Sequence, residues 1–384
     1  MAIFFFLVFI LCIASCKVDA ISKTLLNEQY HFVTSDNFVD QVDNDFDCVD
    51  IYKQPALQHP LLKNHKIQLY PNFETNITRS RPYSTGKNVE ECPTGKVPIH
   101  KMTRRPRIVT NSSSKSLVED FQQYSQSSHG YHSVSLDTTQ NMIFHGARAI
   151  IGGYNISLKR GQYSVSSIWV QNGPPTQLNS IQAGIGFHPS IYGDSQLRLI
   201  GHWTADGHLK IGCYTHACPG FVQVNPNKKF ALGAVQSPVS PIGTQDKWVL
   251  IVKIKQDQFT GHWWLIVEKE EIRVGYWPKT LFTHLSNGAS LIRFGGETYA
   301  PPNMDNPPMG TGRLPQEGFK YSGFMGLLDI IDSKYNEIEV KRSEIKKYSD
   351  ANSKCYDLRY TGYQGTQYRQ AFLYGGPGGS SCGI

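Results

Sequence analysis

From Tyr131 onward, the sequence consists of short hydrophobic runs separated by Gly, Pro, Asn and Asp. Some runs alternate polar and apolar positions, as in QYSVSSIWVQ (residues 162–171), and others add an apolar block, as in KWVLIVKIKQ (residues 247–256). HWWLIVEKEEIRVGYW (residues 262–277) predicts two strands joined by a charged turn. Because the runs recur about every ten to fifteen residues without a helical period, they predict an all-β fold, an antiparallel β-sandwich.

Two of the predicted strands carry polar residues that could do chemistry. NSIQAGIGFHPSIYGD (residues 179–194) predicts a strand that ends in a Tyr-Gly-Asp turn, with Gln182 among apolar neighbours. In SLIRFGGETYAPP (residues 290–302), an apolar run stops at Gly295 and Gly296, and Glu297 follows. We expect the glycines to let the backbone turn tightly and let a substrate approach closely. Glu297 fits a surface turn as well as a catalytic acid; a carboxylate facing Gln182 could orient a water.

The residues before Tyr131 have a different character and divide into two parts. Residues 1–20 contain an apolar block at residues 3–13 and a small residue for signal peptidase at Ala20. The block is shorter than the roughly 20 residues that span a bilayer, so it predicts a cleaved secretory signal. An uncleaved anchor is the alternative, because no Lys or Arg precedes the block.

Residues 21–128 read as a weakly structured region that ends in a linker. Residues 48–72 are punctuated by Pro, and residues 111–130 are rich in Ser and Gln, as linkers are. A plain spacer would have the same composition. The predicted order is a signal peptide at 1–20, a weakly structured region with its linker at 21–128, and the β-sandwich domain at 129–384.

The composition of the chain mainly excludes other classes of partner. With 384 residues and 40% hydrophobic content, the chain can bury a large core and a second module. A net charge of +7 is modest, and no Lys/Arg tract is long and interleaved with aromatic residues, so we expect no nucleic-acid partner. We also expect no stable membrane association and a monomeric protein.

The cysteines and sequons favour secretion. Two of the eight cysteines lie in the predicted signal, which leaves six for disulfides. Local spacing favours pairing Cys48 with Cys92, Cys213 with Cys218 and Cys355 with Cys382, although fifteen pairings are possible. Three sequons begin at Asn76, Asn111 and Asn155 and predict glycosylation of an extracellular protein.

One segment has the residue types of a zinc site. GHWTADGHLKIGCYTHACPG (residues 201–220) brings five zinc-ligand types into one short stretch, namely His202, His208, Cys213, His216 and Cys218. In an oxidising compartment, a small disulfide loop with the histidines on exposed strand edges is the better interpretation. We therefore expect neither a metal nor a cofactor. No H-E-x-x-H, G-x-S-x-G or P-loop motif is present.

A series of motifs resembles the neprosin family of plant secreted proteins. CVDIYKQPALQHPLLKNHKIQ and TGKVPI resemble the activation peptide of that family. The catalytic-domain signatures follow in the same order in this chain: YGDSQLRLIGHWTADG, GCYTHACPGFVQVN, GHWW, GYWPKTLF, FGGE, PPMGTGRLP, CYD and YGGPGG. The resemblance covers nearly everything after the predicted signal.

The resemblance implies a secreted glutamic peptidase made as a zymogen, with two curved sheets around a long cleft. It implies cleavage of proline-containing substrates after proline, at acidic pH, without metal or cofactor. One family glutamate matches Glu297, but the other matches Gln182. A Gln amide can orient water and donate to an oxyanion but cannot act as a base, so we expect a pH profile governed mainly by Glu297. A catalytically impaired relative that binds peptides or glycans is the alternative.

Other positions bear on the cleft. The family usually has Trp where this chain has Ile185 and Tyr where it has His202, so both residues are candidates to line the cleft. The other candidates, which could stack on substrate proline or simply pack in the core, are Trp203, Tyr192, Trp264 and Tyr276.

The resemblance also implies that the activation peptide occupies the cleft and leaves at low pH. His100, His129 and His132 lie near the module boundary and would gain charge in acid. Release could follow a cut at Arg104-Arg105 or self-cleavage in the linker before Tyr131. The expected location is extracellular, in the cell wall or apoplast, with the vacuole as a further possibility.

Overall fold

The fold is known from a computed structural model that describes residues 45–73, 91–101, 130–267, 269 and 271–383. The described residues form mainly β-strands, as the sequence pattern predicts. The strands are β1 (Phe46–Asp50), β2 (Lys96–His100), β3 (Tyr131–Thr138), β4 (Gly146–Gly152), β5 (Tyr163–Asn172), β6 (Asn179–Phe187), β7 (Arg198–Thr204), β8 (Gly212–Tyr214), β9 (Val222–Gln223), β10 (Val249–Gln256), β11 (Trp263–Val267), β12 (Ile272–Trp277), β13 (Leu291–Tyr299), β14 (Gly323–Ile331), β15 (Glu337–Glu339), β16 (Ile345–Ser349), β17 (Asp357–Tyr363) and β18 (Gln370–Gly375).

Helices are few and short in the described part of the chain. Two α-helices have four residues each, α1 (Pro189–Tyr192) and α2 (Gly365–Tyr368). The remaining helical turns are of the 3-10 type, at Ile51–Lys53, Pro55–Gln58, Pro60–Leu62, Pro175–Gln177, Lys228–Phe230, Lys279–Leu281, Leu285–Asn287, Pro315–Glu317 and Arg342–Glu344. None of the described helices has the length and hydrophobicity needed to cross a membrane.

Two antiparallel sheets form the main domain. Sheet A has seven strands in the order β16-β3-β13-β5-β6-β7-β8. Sheet B has nine strands, β17-β18-β14-β4-β10-β11-β12-β9 with β15 paired to β14. The sandwich prediction is therefore confirmed, together with the strands predicted at residues 162–171 and 247–256 and the pair of strands within residues 262–277.

The main core lies between the two sheets. On β5, Ile168 and Val170 are fully buried in this core, while Ser167 and Trp169 point to the other face of the sheet. Burial of each such aliphatic side chain stabilises the fold by about 1.5–3 kcal/mol. Because side chains alternate across a strand, the polar positions are collected on the outer face of sheet A.

The glycines before Glu297 do not form a turn. β13 runs without interruption from Leu291 to Tyr299, so the expectation that the strand ends at Gly295 and Gly296 was wrong. A Cβ on Gly295 would lie 2.0 Å from the carbonyl oxygen of Val134, and a Cβ on Gly296 would lie 2.8 Å from the sulfur of Met309. The glycines are needed because a neighbouring strand and the core come close on either side.

The described N-terminal residues form a separate small module, the N-module (residues 45–73 and 91–101). Its strands β1 and β2 pair with each other. It docks against the edge of sheet B, where the Gln54 side chain exchanges hydrogen bonds of 2.8 and 3.1 Å with the backbone of Gln223. Leu62 is buried in the main core.

Each disulfide closes within one module. The pairs are Cys48–Cys92 in the N-module and Cys213–Cys218 and Cys355–Cys382 in the main domain, with Cα–Cα distances of 5.4, 5.6 and 5.5 Å. This is the locally paired set that the sequence favours. No disulfide among the described residues therefore joins the two modules.

Several sequence predictions fall outside the described residues. These are the signal peptide at 1–20, the linker histidine His129, the pair Arg104-Arg105, and the sequons at Asn76 and Asn111. Asn155 is described and exposed, so a glycan could be attached there.

Candidate functional site

Glu297 and Gln182 come from two strands of sheet A that are separated by β5. Gly295 on β13 lies opposite Ser167 on β5, and Ser167 lies opposite Gly184 on β6. Glu297 and Gln182 are each two residues from the glycine of their own strand, so both side chains project from the outer face. They flank Ser167 on opposite sides.

The residues between the pair are small for a steric reason. A Cβ on Gly184 would lie 2.0 Å from the carbonyl oxygen of Ser166, as one on Gly295 would from that of Val134. Gly295, Ser167 and Gly184 therefore form a row with almost no side chains across three strands, which we call the small-residue row. The long side chains of Glu297 and Gln182 can converge above this row.

Hydrogen bonds fix both members of the pair. The Tyr131 hydroxyl donates to Oε2 of Glu297 at 2.8 Å, and Nε2 of Gln182 donates to the Ser167 hydroxyl at 2.8 Å. The amide of Gln182 also hydrogen-bonds to the carboxyl of Glu297. Tyr131, Glu297, Gln182 and Ser167 thus form one continuous buried polar chain.

Burial controls the protonation of this site. It raises the pKa of Glu297 above the ordinary value of 4.5, and the hydrogen bonds from Gln182 and Tyr131, with the charge of Arg293, offset part of that rise. Burial and the neighbouring carboxyl also raise the pKa of Tyr131 well above its usual range, so its hydroxyl stays a donor. Glu297 is 8% exposed and Gln182 is 3% exposed.

The pair lies in an open pocket on the outer face of sheet A. Its walls are aromatic side chains, imidazoles and amides contributed by sheet A and its loops. The lining residues are Tyr131, Tyr163, Trp169, Gln171, Gln182, His188, His202, His208, Tyr214 and Glu297. Aromatic walls with polar side chains converging between them are typical of a ligand site.

Four residues expected in the cleft lie elsewhere, because each is packed against other parts of the protein. Trp203 is in the core between the sheets, edge-on to Phe282. Tyr192, in α1, packs behind the pocket and its hydroxyl pairs with Thr215 at 3.1 Å. The remaining two, Trp264 and Tyr276, are on the outer face of sheet B.

Trp264 and Tyr276 are covered by the N-module. The Tyr276 hydroxyl is 2.7 Å from Nε2 of His65 and accepts a hydrogen bond of 2.9 Å from the backbone N–H of Gln68. Both aromatic residues pack with Ala56 in a small apolar cluster. Their surroundings fit docking of the N-module rather than binding of substrate.

The two residues that depart from the family pattern, Ile185 and His202, lie on opposite faces of sheet A. Ile185 points into the core and is 2% exposed, so the expectation that it lines the cleft was wrong. His202, on the outer face of β7, does line the pocket. The difference follows from alternation, since Ile185 is an odd number of residues from Gln182 on the same strand.

The zinc-ligand types of residues 201–220 are dispersed. Cys213 and Cys218 are bonded to each other. His202 and His208 stack in the pocket at 5.2 Å between ring centroids, and His216 is buried beside Phe221, so the histidines are not on exposed strand edges. Within the described residues, no three His, Cys, Asp or Glu side chains are placed to hold a metal ion.

Sequence reasoning missed several pocket residues. Ser167 and Trp169 lie on β5 with the two-residue alternation that the sequence shows, but their register against Gln182 could not be known. Tyr131 was assigned only to the start of the domain. His188 and Tyr214 reach the pocket from outside the central strands, and no sequence signal marks them.

The N-module does not enter the pocket in its described residues, since all of the lining side chains belong to residues 131–297. The expectation that the activation peptide occupies the cleft is therefore not met by residues 45–73 and 91–101. These residues cover the edge and outer face of sheet B instead.

Comparison with known proteins gives two family matches and distant structural ones. The neprosin family model matches residues 160–377, and the neprosin activation peptide model matches residues 42–147. Two crystal structures of scytalido-glutamic peptidase, one with a peptide-based transition-state analogue and one with a transition-state analogue inhibitor, are 8% and 9% identical to this chain. They cover 65% and 64% of this chain and 98% of their own, each with a TM-score of 0.36.

Proposed function

Because the chain belongs to the neprosin family and its activation-peptide region precedes the β-sandwich, we propose that it is a zymogen of a secreted glutamic endopeptidase. The proposed activity is cleavage of peptides after proline at acidic pH. The observation that supports it best is the convergence of one buried carboxyl, Glu297, and one buried amide, Gln182, on the same pocket.

In the first proposed step, ionised Glu297 takes a proton from a water held between the carboxylate and the Gln182 amide. The water oxygen bonds to the carbonyl carbon of the scissile peptide bond, and the carbonyl π electrons move to its oxygen. The N–H of Gln182 that bonds to the Glu297 carboxyl before the reaction then donates to this oxyanion instead. Ser167 holds the amide in place through its 2.8 Å hydrogen bond.

In the second step, Glu297 gives the same proton to the nitrogen of the leaving amine. The oxyanion electrons re-form the carbonyl, the C–N bond breaks, and a carboxylic acid and an amine are released. Glu297 ends as the carboxylate that began the cycle, so a single ionisable group can act as base and then as acid. The step needs no further acid, and Gln182 stays uncharged throughout.

A preference for proline is supported by the aromatic side of the pocket. The rings of Tyr163 and His188 stack at 5.4 Å with 20° between their planes, and Tyr214 lies 5.2 Å from His188. Burial lowers the pKa of His188 to about 3, so this wall is uncharged at mildly acidic pH. A pyrrolidine ring fits such flat, uncharged walls.

A second candidate function is peptide or glycan binding without catalysis. It is favoured by Gln182, which stands where the family has a second glutamate. The aromatic walls would serve binding equally well.

The deciding experiment uses secreted, acid-treated protein freed of its N-terminal part and a proline-containing reporter peptide, scanned across acidic pH. We expect cleavage after proline, and a loss of at least about a thousandfold in Glu297→Gln, because Glu297 is the base and then the acid of the proposed reaction. Glu317→Gln, at a half-exposed carboxyl outside the pocket, is the matched control and should keep full activity. A folded wild-type protein that binds the peptide but leaves it intact would favour the binding function.

A further inference from the structure

The pocket extends beyond Gln182 toward the edge of sheet A. Gln182 lies opposite His202 on β7, and His202 lies opposite Tyr214 on β8. On the other side, Gln182 lies opposite Trp169 on β5. All four line the pocket. From Gln182, a row of flat side chains therefore continues through His202 and Tyr214 on the side away from the Glu297 strand, and Trp169 lies on the opposite side of Gln182.

His208 joins this row from the turn that connects β7 and β8. Its φ of 66° is in the left-handed region, which a residue with a side chain adopts only when its surroundings enforce it. The Asp206 carboxylate enforces the turn by accepting hydrogen bonds from the backbone N–H groups of Leu209, Lys210 and Ile211 at 3.1, 2.7 and 2.9 Å. The turn thereby holds His208 over the pocket.

The two imidazoles form one stack, and the free face of this stack is a flat surface. Their rings are 5.2 Å apart and only 5° from parallel. Burial and the neighbouring imidazole lower the pKa of His202 to about 3, and burial lowers that of His208 to about 4 despite the opposing charge of Asp206. Both rings are neutral at mildly acidic pH, so the surface carries no charge.

We propose that His202 and His208 form a specificity subsite for a flat, uncharged side chain, an aromatic ring or a carboxamide, of the substrate residue bound on the Gln182 side of the scissile bond. This inference rests on the proposed peptidase function. A flat side chain can stack on the imidazoles. A carboxamide can also pair with their ring N–H groups. A charged side chain would lose hydration without gaining an opposite charge.

The test is a matched set of proline-containing peptides that carry Phe, Gln, Ala, Lys or Glu at one position, either directly before the proline or directly after the cleaved bond. Wild-type kcat/KM should favour Phe and Gln at one of these positions. His208→Ala should reduce the Phe-over-Ala preference by roughly fivefold, a size expected for loss of one ring stack. His202→Tyr keeps a flat ring and should keep the preference for Phe. Leu209→Ala, at an exposed side chain of the same turn, should change nothing.

Peptide binding to Glu297→Gln protein separates this inference from the proposed function. If the wild type cleaves nothing, but dissociation constants still favour Phe and Gln and His208→Ala abolishes that preference, the subsite stands and the peptidase proposal fails. An unchanged preference in His208→Ala would overturn the subsite. So would an equal loss for every peptide, since a merely structural residue would act on all of them alike.

Discussion

At the scale of single residues, Gln182 leaves Glu297 as the only carboxyl of the pair. In the proposed reaction the ionised carboxylate accepts the proton of water, so kcat/KM should rise with pH as Glu297 ionises. Because burial raises the pKa of Glu297, this rise is expected above pH 4.5. It should follow a single ionisation.

Tyr131→Phe tests this assignment. The Tyr131 hydroxyl stabilises the carboxylate and lowers its pKa, so removing it should move the rise in kcat/KM to still higher pH. The lost hydrogen bond should also cost about 1 kcal/mol of stability. A pH profile of kcat/KM measures the first effect and a thermal melt the second. A rise displaced to lower pH would contradict the role of Tyr131.

Gln182→Glu tests the pair by placing a second carboxyl beside Glu297. Two carboxyls above the small-residue row would share a proton and titrate in two coupled steps, one at lower and one at higher pH than an isolated group. We expect the single-step profile of the wild type to become bell-shaped, with activity lost as the shared proton leaves. Gln171→Glu, at another pocket amide two strand positions from Trp169, is the control. A single step in the Gln182 variant would exclude close contact of the two groups.

At the scale of elements, the alternation of polar and apolar residues predicted the strands better than individual short motifs did. The two-residue period indicated the strands of both sheets and would have separated Ile185 from Gln182. Gly295 and Gly296 were misread because Gly usually marks a turn, whereas here it makes room for Val134 and Met309. That reason lies in strands distant in sequence. Trp264 and Tyr276 were misplaced because a sequence does not say which face of sheet B the N-module covers.

The turn between β10 and β11 holds the N-module through one buried carboxylate. Asp257 accepts hydrogen bonds from the backbone N–H and side-chain amide of Asn72 at 2.6 and 3.0 Å, and from the Gln68 amide at 3.0 Å. It also accepts from Phe259 and Thr260 of its own turn. Asp257 therefore joins the two modules.

Asn72→Ala should weaken this docking. It removes the amide bonds to Asp257 while leaving the turn intact, which should cost about 1 kcal/mol, or about a fivefold loss of affinity. The measurement is the dissociation constant of the N-module after cutting at a protease site engineered into the linker. Tyr52→Ala, at a side chain 72% exposed on the N-module, is the control. Equal effects of the two variants would show that Asp257 is not a docking point.

At the scale of the whole molecule, a single cut in the linker would leave the N-module held only by noncovalent contacts, because no disulfide of the described chain joins the modules. Three N-module histidines, His59, His65 and His100, all have a pKa lowered mainly by burial at the docked surface. Buried neutral histidines resist protonation until docking is lost. Acid should therefore favour release of the N-module.

His100 gives the sharpest form of this prediction. Its Nε2 is 3.3 Å from Nη1 of Arg198, and burial followed by the charge of Arg198 lowers its pKa to about 4, against the smaller opposing effects of Asp45 and Asp194. Between the ordinary value of 6.5 and about 4, the released module binds more protons than the docked one. The docking constant should weaken by roughly three-hundredfold as pH falls through this window. Below the window, His100 should cause no further change.

His100→Gln removes this proton-binding site, so the ratio of docking constants between pH 7 and pH 4 should fall by roughly a hundredfold. The ratio is the useful quantity, because a variant that merely packs less well would weaken docking equally at both pH values. His284→Gln, in the main domain outside the docked surface, should leave the ratio unchanged. If His100→Gln also leaves it unchanged, the acid response must come from the other docked histidines. If the ratio rises, protonation of His100 favours docking, opposite to the expected direction.

With the expected direction, acid would free the N-module. The raised pKa of Glu297 would at the same time limit catalysis at the lowest pH, which confines the proposed activity to mildly acidic conditions.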